Sequence, residues 1–231
     1  MARKNFFDKE DFAQFDKDYK DFDFKPRGGN FFSGKTFGII KFLLGICLLP
    51  FVYAASRAFL KEFGQIDQAI GVCFWQGVST LLVVYLFIWE PAIIYNKGQK
   101  VTETVFTFLK PMVKAAPYLL PIYLIIFGIL YGILSIFFSS ADLLKFFTFL
   151  FGFSFAFHLV FSAKSLRGKQ KDFLKGNYIF GFSFVYLVNL VFLAFLLNLV
   201  FQSFSFVNFS NTTYLGAQDI LHSIFSQLFV N

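Results

Sequence analysis

Ser154, His158, Ser162 and Ser165 interrupt an otherwise apolar run at steps of three and four residues. That spacing gathers them into one narrow stripe of a helix. An ionisable side chain at membrane depth is costly, so His158 marks a candidate site for ligand binding, proton transfer or metal ligation. The plain alternative is hydrogen bonding between helices, at about 0.6–2 kcal/mol per contact. With a rise of about 1.5 Å per residue, His158 is expected roughly 9 Å inside the cytoplasmic boundary. Tyr85, Tyr123, Ser183 and Tyr186 fall at similar depth on other apolar segments, and Asn189 lies on the last of these. Lys41 and Glu90 stand near inner ends, and Asp172 lies in the basic loop after His158. Together with Ser154, His158 and Ser162 they form a candidate polar cavity in the cytoplasmic third of a helical bundle.

The elements that must position these residues are membrane spans. The chain of 231 residues is 57% hydrophobic and 15% charged. A hydrocarbon core of ~30 Å takes about 20 apolar residues as helix. Five segments meet that requirement: Thr36–Ala55, Ala69–Trp89, Ala116–Phe138, Leu143–Ala163 and Asn177–Phe201. Their uninterrupted apolar character excludes the alternating pattern of a membrane barrel. The expected fold is all-α and polytopic, with five transmembrane helices. Pro50 is expected to kink the first of them or free a carbonyl. Pro117 and Pro121 predict an irregular entry into the third, which exposes backbone carbonyls and is tolerated only where protein or water satisfies them. Gly128 and Gly132 on that span predict close helix contact.

The net charge of +7 invites a nucleic-acid reading, but its distribution points to topology. Eight basic residues precede the first span, four lie between the second and third, and five between the fourth and fifth. The alternate loops hold only Arg57 and Lys61, and then Lys145. The positive-inside rule therefore predicts a cytoplasmic N terminus and an external C terminus. The bilayer is the expected partner, a membrane protein a candidate one, and nucleic acid is not expected. No apolar stretch occupies the first thirty residues, so no cleavable signal peptide is expected. Cys47 and Cys73 fall inside spans, which predicts neither a disulfide framework nor a metal site.

Three regions follow. Residues 1–35 form a cytoplasmic tail in which Phe12, Phe15, Tyr19 and Phe22 share one face opposite Asp11, Asp16, Lys17 and Asp21. Residues 36–207 carry the bundle. Residues 208–231 form an external amphipathic helix after a polar turn at 208–213, its apolar stripe of Leu221, Ile224, Phe225, Leu228 and Phe229 lying flat on the outer leaflet.

The runs Ala116-Pro-Tyr-Leu-Leu-Pro-Ile-Tyr123, Ala156-Phe-His158, Gln170-Lys-Asp172 and Tyr178-Ile-Phe180 resemble bacterial membrane proteins related to the site-2 protease family of intramembrane zinc metallopeptidases. The resemblance covers about half the chain, from Tyr85 to Val200. It implies a metal-binding H-E-x-x-H motif, and the matching stretch here is Trp89-Glu90-Pro91-Ala92-Ile93. Glu90 keeps the general-base position, but tryptophan and isoleucine cannot ligate zinc. Pro91 also breaks the turn that would align two ligands. The expectation is therefore a scaffold without metal, cofactor or catalysis, in which Glu90 is vestigial. It would sit in a bacterial inner membrane and bind a membrane segment or protein partner in the cytoplasmic-side cavity. Two alternatives are a small proton-linked transporter or channel component using His158, Lys41 and Glu90, and an active peptidase with other ligands.

Overall fold

A computed structural model describes residues 34–88, 91–105, 116–138, 140–167, 174 and 177–229 of the chain. From Thr36 onward they belong to one compact unit. The tail helix expected within residues 1–35 lies outside the described residues, as do Trp89, Glu90 and Asp172. Among the described residues the fold is all-α, with eight α-helices and a π-helical turn. These are α1 (Gly34–Phe63), α2 (Gln68–Val83, continued by the π turn Val84–Ile88), α3 (Ala92–Val105), α4 (Ala116–Leu119), α5 (Ile122–Phe137), α6 (Ala141–Leu166), α7 (Tyr178–Val200) and α8 (Phe206–Phe229).

Four helical stretches are long and apolar enough to cross a membrane: Gly38–Phe63, Gln68–Ile88, Ala141–Leu166 and Tyr178–Val200. The protein is thus a multi-pass helical membrane protein in contact with the bilayer. Side-chain caps set three of the starts. Asp67 accepts hydrogen bonds from the Ala69 and Ile70 amides (2.9 and 3.3 Å) at the head of α2. Ser140 accepts from the Leu143 amide (3.1 Å) at α6, and Asn177 from the Phe180 amide (3.1 Å) at α7. Each cap satisfies an amide that the helix leaves without an internal partner. In α1 the helix continues through Pro50.

The expected third span divides. Pro121 has no amide hydrogen, so the turn Ala116–Leu119 stops at Leu120 and a new helix of 16 residues begins at Ile122. At ~1.5 Å per residue α5 is about 24 Å long, shorter than the hydrocarbon core. The segment after the second span, read from sequence as a loop with some helix, contains the 14-residue helix α3. Its buried residues, Tyr95, Gly98 and Thr102, repeat at steps of three and four.

Helix α6 runs beside α2 in the same direction: Phe74 meets Gly152, Leu81 packs with Phe157, and Tyr85 meets Phe161 edge-on. Two glycines allow this pair to touch backbone to backbone. A Cβ on Gly77 would lie 2.0 Å from the Phe149 carbonyl oxygen, and one on Gly152 would lie 2.1 Å from the Phe74 carbonyl oxygen. The glycine pair singled out on α5 behaves differently. Gly128 faces Leu196 on α7, but a Cβ on Gly132 would meet nothing within 4 Å. Phe74, Phe147, Phe151, Leu193 and Leu197 fill the core between these helices.

The C-terminal segment is one helix of 24 residues, and the expected polar turn at 208–213 is part of it. Side-chain acceptors at its start explain how polar residues enter the helix. Ser205 Oγ accepts from the Asn208 amide (3.2 Å), Asn198 Oδ1 from the Phe206 amide (3.0 Å), and Glu62 Oε2 from the Ser205 amide (3.3 Å). Thr213 donates back to the Phe209 carbonyl (2.7 Å). From this anchored start α8 turns back along α1. A Cβ on Gly216 would lie 3.3 Å from Ala54 Cβ, and Ala217 is fully buried. Beyond Ala217 the helix is largely exposed.

Candidate functional site

The broken entry into α5 is where two of the predicted polar residues, His158 and Asn189, converge. In a continuous helix the Tyr118 carbonyl would accept from the Ile122 amide, four residues on. Here that amide turns to the Leu120 carbonyl instead (2.9 Å). His158 on α6 reaches the Tyr118 carbonyl, with its Nε2 3.0 Å from the oxygen. The carbonyl can only accept, so this contact places a proton on Nε2. Asn189 on α7 serves the neighbouring carbonyl. Its Nδ2 donates to Leu119 O (3.3 Å) and to Val185 O of its own helix (2.8 Å). Two side chains from two helices therefore hold adjacent carbonyls of a proline break. His158 is 4% exposed and Asn189 fully buried, so an unpaired carbonyl there would carry its full desolvation penalty.

A second cluster anchors α3. The Tyr95 hydroxyl lies 3.0 Å from Ser162 Oγ on α6, and the Tyr95 ring stacks on Phe161 at 5.2 Å between centroids. Tyr123 at the head of α5 donates its hydroxyl to the Ile94 carbonyl. Gly98 lets this happen, because a Cβ there would meet Tyr123 Cε2 at 2.7 Å. Burial pushes the Tyr95 phenol up to about 12. It therefore stays protonated and able to donate across the physiological range. Tyr95 and Gly98 were not singled out from sequence, although Tyr95, Gly98 and Thr102 form a readable buried stripe on α3.

The remaining predicted residues are dispersed. Ser154 is buried and donates to the Phe151 carbonyl of its own helix (3.2 Å). Tyr85 packs edge-on against Phe161. Lys41 is buried, at 4% exposure. Tyr186 points elsewhere: its hydroxyl lies 2.8 Å from Ser56 Oγ on α1.

That Ser56–Tyr186 pair sits in a groove of about 310 Å³ between α1, α2, α6 and α7. Phe59, Leu60, Trp75, Val78, Leu159 and Val160 contribute apolar walls. Of the residues proposed from sequence, Tyr186 alone lines it. The signal missed was a set of bulky apolar residues that periodicity assigns to packing.

No protein-family model, curated protein or solved structure matches this chain. The proline break and its partners stabilise a bend, and the groove is a volume that another molecule can enter.

Proposed function

We propose that this protein is a non-catalytic, multi-pass membrane protein that takes up an apolar membrane component in the groove between α1, α2, α6 and α7. The carrying observation is the groove itself, about 310 Å³ with near-continuous apolar walls. Supporting it, His158 Nε2, Ser154, Ser162 and Asn189 Nδ2 all engage protein groups at the break, along α6 or on α3. The binding volume thus differs from the cytoplasmic-side cavity expected from sequence.

In this proposal α4 and α5 together carry the chain across, giving five crossings with the basic N-terminal segment inside, in a bacterial inner membrane. Seventeen basic residues in inner segments against three in outer ones support that orientation. Helix α8 then starts on the outer side and descends beside α1. A site-2-peptidase-like origin belongs to the same proposal. Trp89 and Ile93 at the ligand positions fit loss of metal chemistry in such a scaffold.

The test is photo-crosslinking in native membranes from a diazirine amino acid at Leu159, with the adduct identified by mass. The expected product carries a lipid or one defined membrane peptide, and the adduct falls when Ala156→Leu narrows the groove. Crosslinking unchanged by that substitution would sink the proposal.

A further inference from the structure

We infer that the groove holds one hydrocarbon chain of an anionic phospholipid, with its headgroup on Arg57 and Lys61. This inference rests on the groove being the binding site. Its size comes first. A helix with its side chains is about 10–12 Å across, too wide for a volume at the lower end of small-molecule sites. A single chain fits that scale.

The direction of the hydrogen bonds then favours an apolar occupant at depth. Ser56 donates to the Val52 carbonyl (2.7 Å), so the proton in the Ser56–Tyr186 contact comes from Tyr186. Both hydroxyl protons are engaged within the protein, and the deep wall offers no hydroxyl donor to a guest. The lining runs from Leu60, close to the end of α1, to Val160 on the later half of α6. That elongated course suits a chain lying parallel to the helices.

Charge at the rim selects the headgroup. Arg57, Leu60 and Lys61 share one face of α1 by their spacing, so two cations flank a residue that lines the groove. Both are exposed, and Arg57 lies 5.8 Å from the Tyr53 ring. The nearby carboxylates are engaged elsewhere: Glu62 accepts from the Ser205 amide, and Asp67 from the Ala69 and Ile70 amides. Among the described residues no carboxylate pairs with either cation. Two cations one helical turn apart attract a phosphate diester at the membrane surface.

Trp75 is a built-in probe, since it lines the groove and the chain's other tryptophan is Trp89. The full-length Trp89→Phe protein is reconstituted in phosphatidylcholine vesicles. Brominated phosphatidylglycerol or brominated phosphatidylcholine is titrated in, and quenching of Trp75 is followed. Half-quenching is expected at roughly tenfold lower mole fraction for the glycerol lipid, and Arg57→Gln with Lys61→Gln should abolish the preference. Ala156→Leu should reduce quenching by both lipids; if it does not fold, Val160→Phe at the half-exposed wall makes the same test. Equal quenching by the two lipids overturns the anionic assignment, while the groove stands if the filling variants still protect Trp75. Filling variants that change nothing overturn the groove and this inference together. A preference that survives loss of both cations overturns the placement of the headgroup.

Discussion

Replacing Gly152 by alanine should destabilise the protein far more than the same change at Gly132. A Cβ at 152 would stand 2.1 Å from the Phe74 carbonyl oxygen and 2.9 Å from its carbon. Ordinary carbon contacts lie near 3.5 Å, so the deficit is roughly 1.4 Å against the oxygen. Both obstacles are backbone atoms of α2, and no rotamer change relieves them. The two helices would have to part, loosening Phe74 and Phe151 in the core. Overpacking in well-packed interiors costs about 1–3 kcal/mol, and a rigid backbone obstacle belongs at the upper end. The alanine recovers about 0.5–1 kcal/mol of helix propensity, leaving a net loss near 2 kcal/mol. At Gly132 no atom lies within 4 Å, so only the propensity gain applies. The measurement is unfolding of purified protein by SDS titration, monitored by circular dichroism. Gly77→Ala should behave like Gly152→Ala, since its Cβ would meet the Phe149 oxygen at 2.0 Å. If Gly152→Ala matches or exceeds the stability of Gly132→Ala, the close α2–α6 contact is wrong.

Other expectations follow from the break, α3 and α8. His158→Leu should cost about 1–3 kcal/mol because it removes the Nε2 hydrogen bond to the Tyr118 carbonyl, whereas His222→Ala on exposed α8 should be nearly silent. His158→Asn should recover part of the loss, and equal melting temperatures for His158→Leu and His222→Ala would count against the clasp. The Tyr95 phenol is raised from 10.0 to about 12, so its contribution is present below pH 10 and is lost as pH climbs through 12. At about 1.4 kcal/mol per pH unit the loss approaches roughly 2–3 kcal/mol. Denaturation at pH 9 and pH 11.5 should show this alkaline step in the parent and a smaller one in Tyr95→Phe; an identical step in both refutes it. Finally, Ser203→Cys should react with an impermeant maleimide from outside, while Gln227→Cys should be protected from that side. Ready external labelling at 227 would place the end of α8 on the outer surface.

The clasp shows how local chemistry and assembly divide the work. Pro117 and Pro121 disclose in the sequence that a helix must break and that carbonyls must find donors, because proline lacks an amide hydrogen. His158 and Asn189 are legible as costly polar residues at membrane depth. That one meets Tyr118 and the other Leu119 depends on the register of three helices, which no local pattern encodes. Tyr186 makes the same point: the sequence sets it at the depth of His158, but its helix face turns it to Ser56 and the groove.

Hydropathy determines by itself that the chain is helical and crosses a membrane repeatedly, since the cost of unpaired backbone in hydrocarbon leaves long apolar runs little choice. Span starts were readable to within a few residues at α2, α6 and α7, where Asp67, Ser140 and Asn177 cap the helices. The glycines that matter were not readable. Gly128 and Gly132 carry the recognisable spacing, yet Gly77 and Gly152 make the backbone contact, because closeness belongs to a pair of helices and spacing to only one. The start of helix α8 was misjudged for a related reason. Its polar residues read as a turn until Glu62, Asn198 and Ser205 supplied acceptors for the first amides, and Gly216 found Ala54. Membrane insertion is a sum over side chains and can be read along a line; packing, capping across helices and the groove arise where distant segments meet, and only the tertiary structure brings them together.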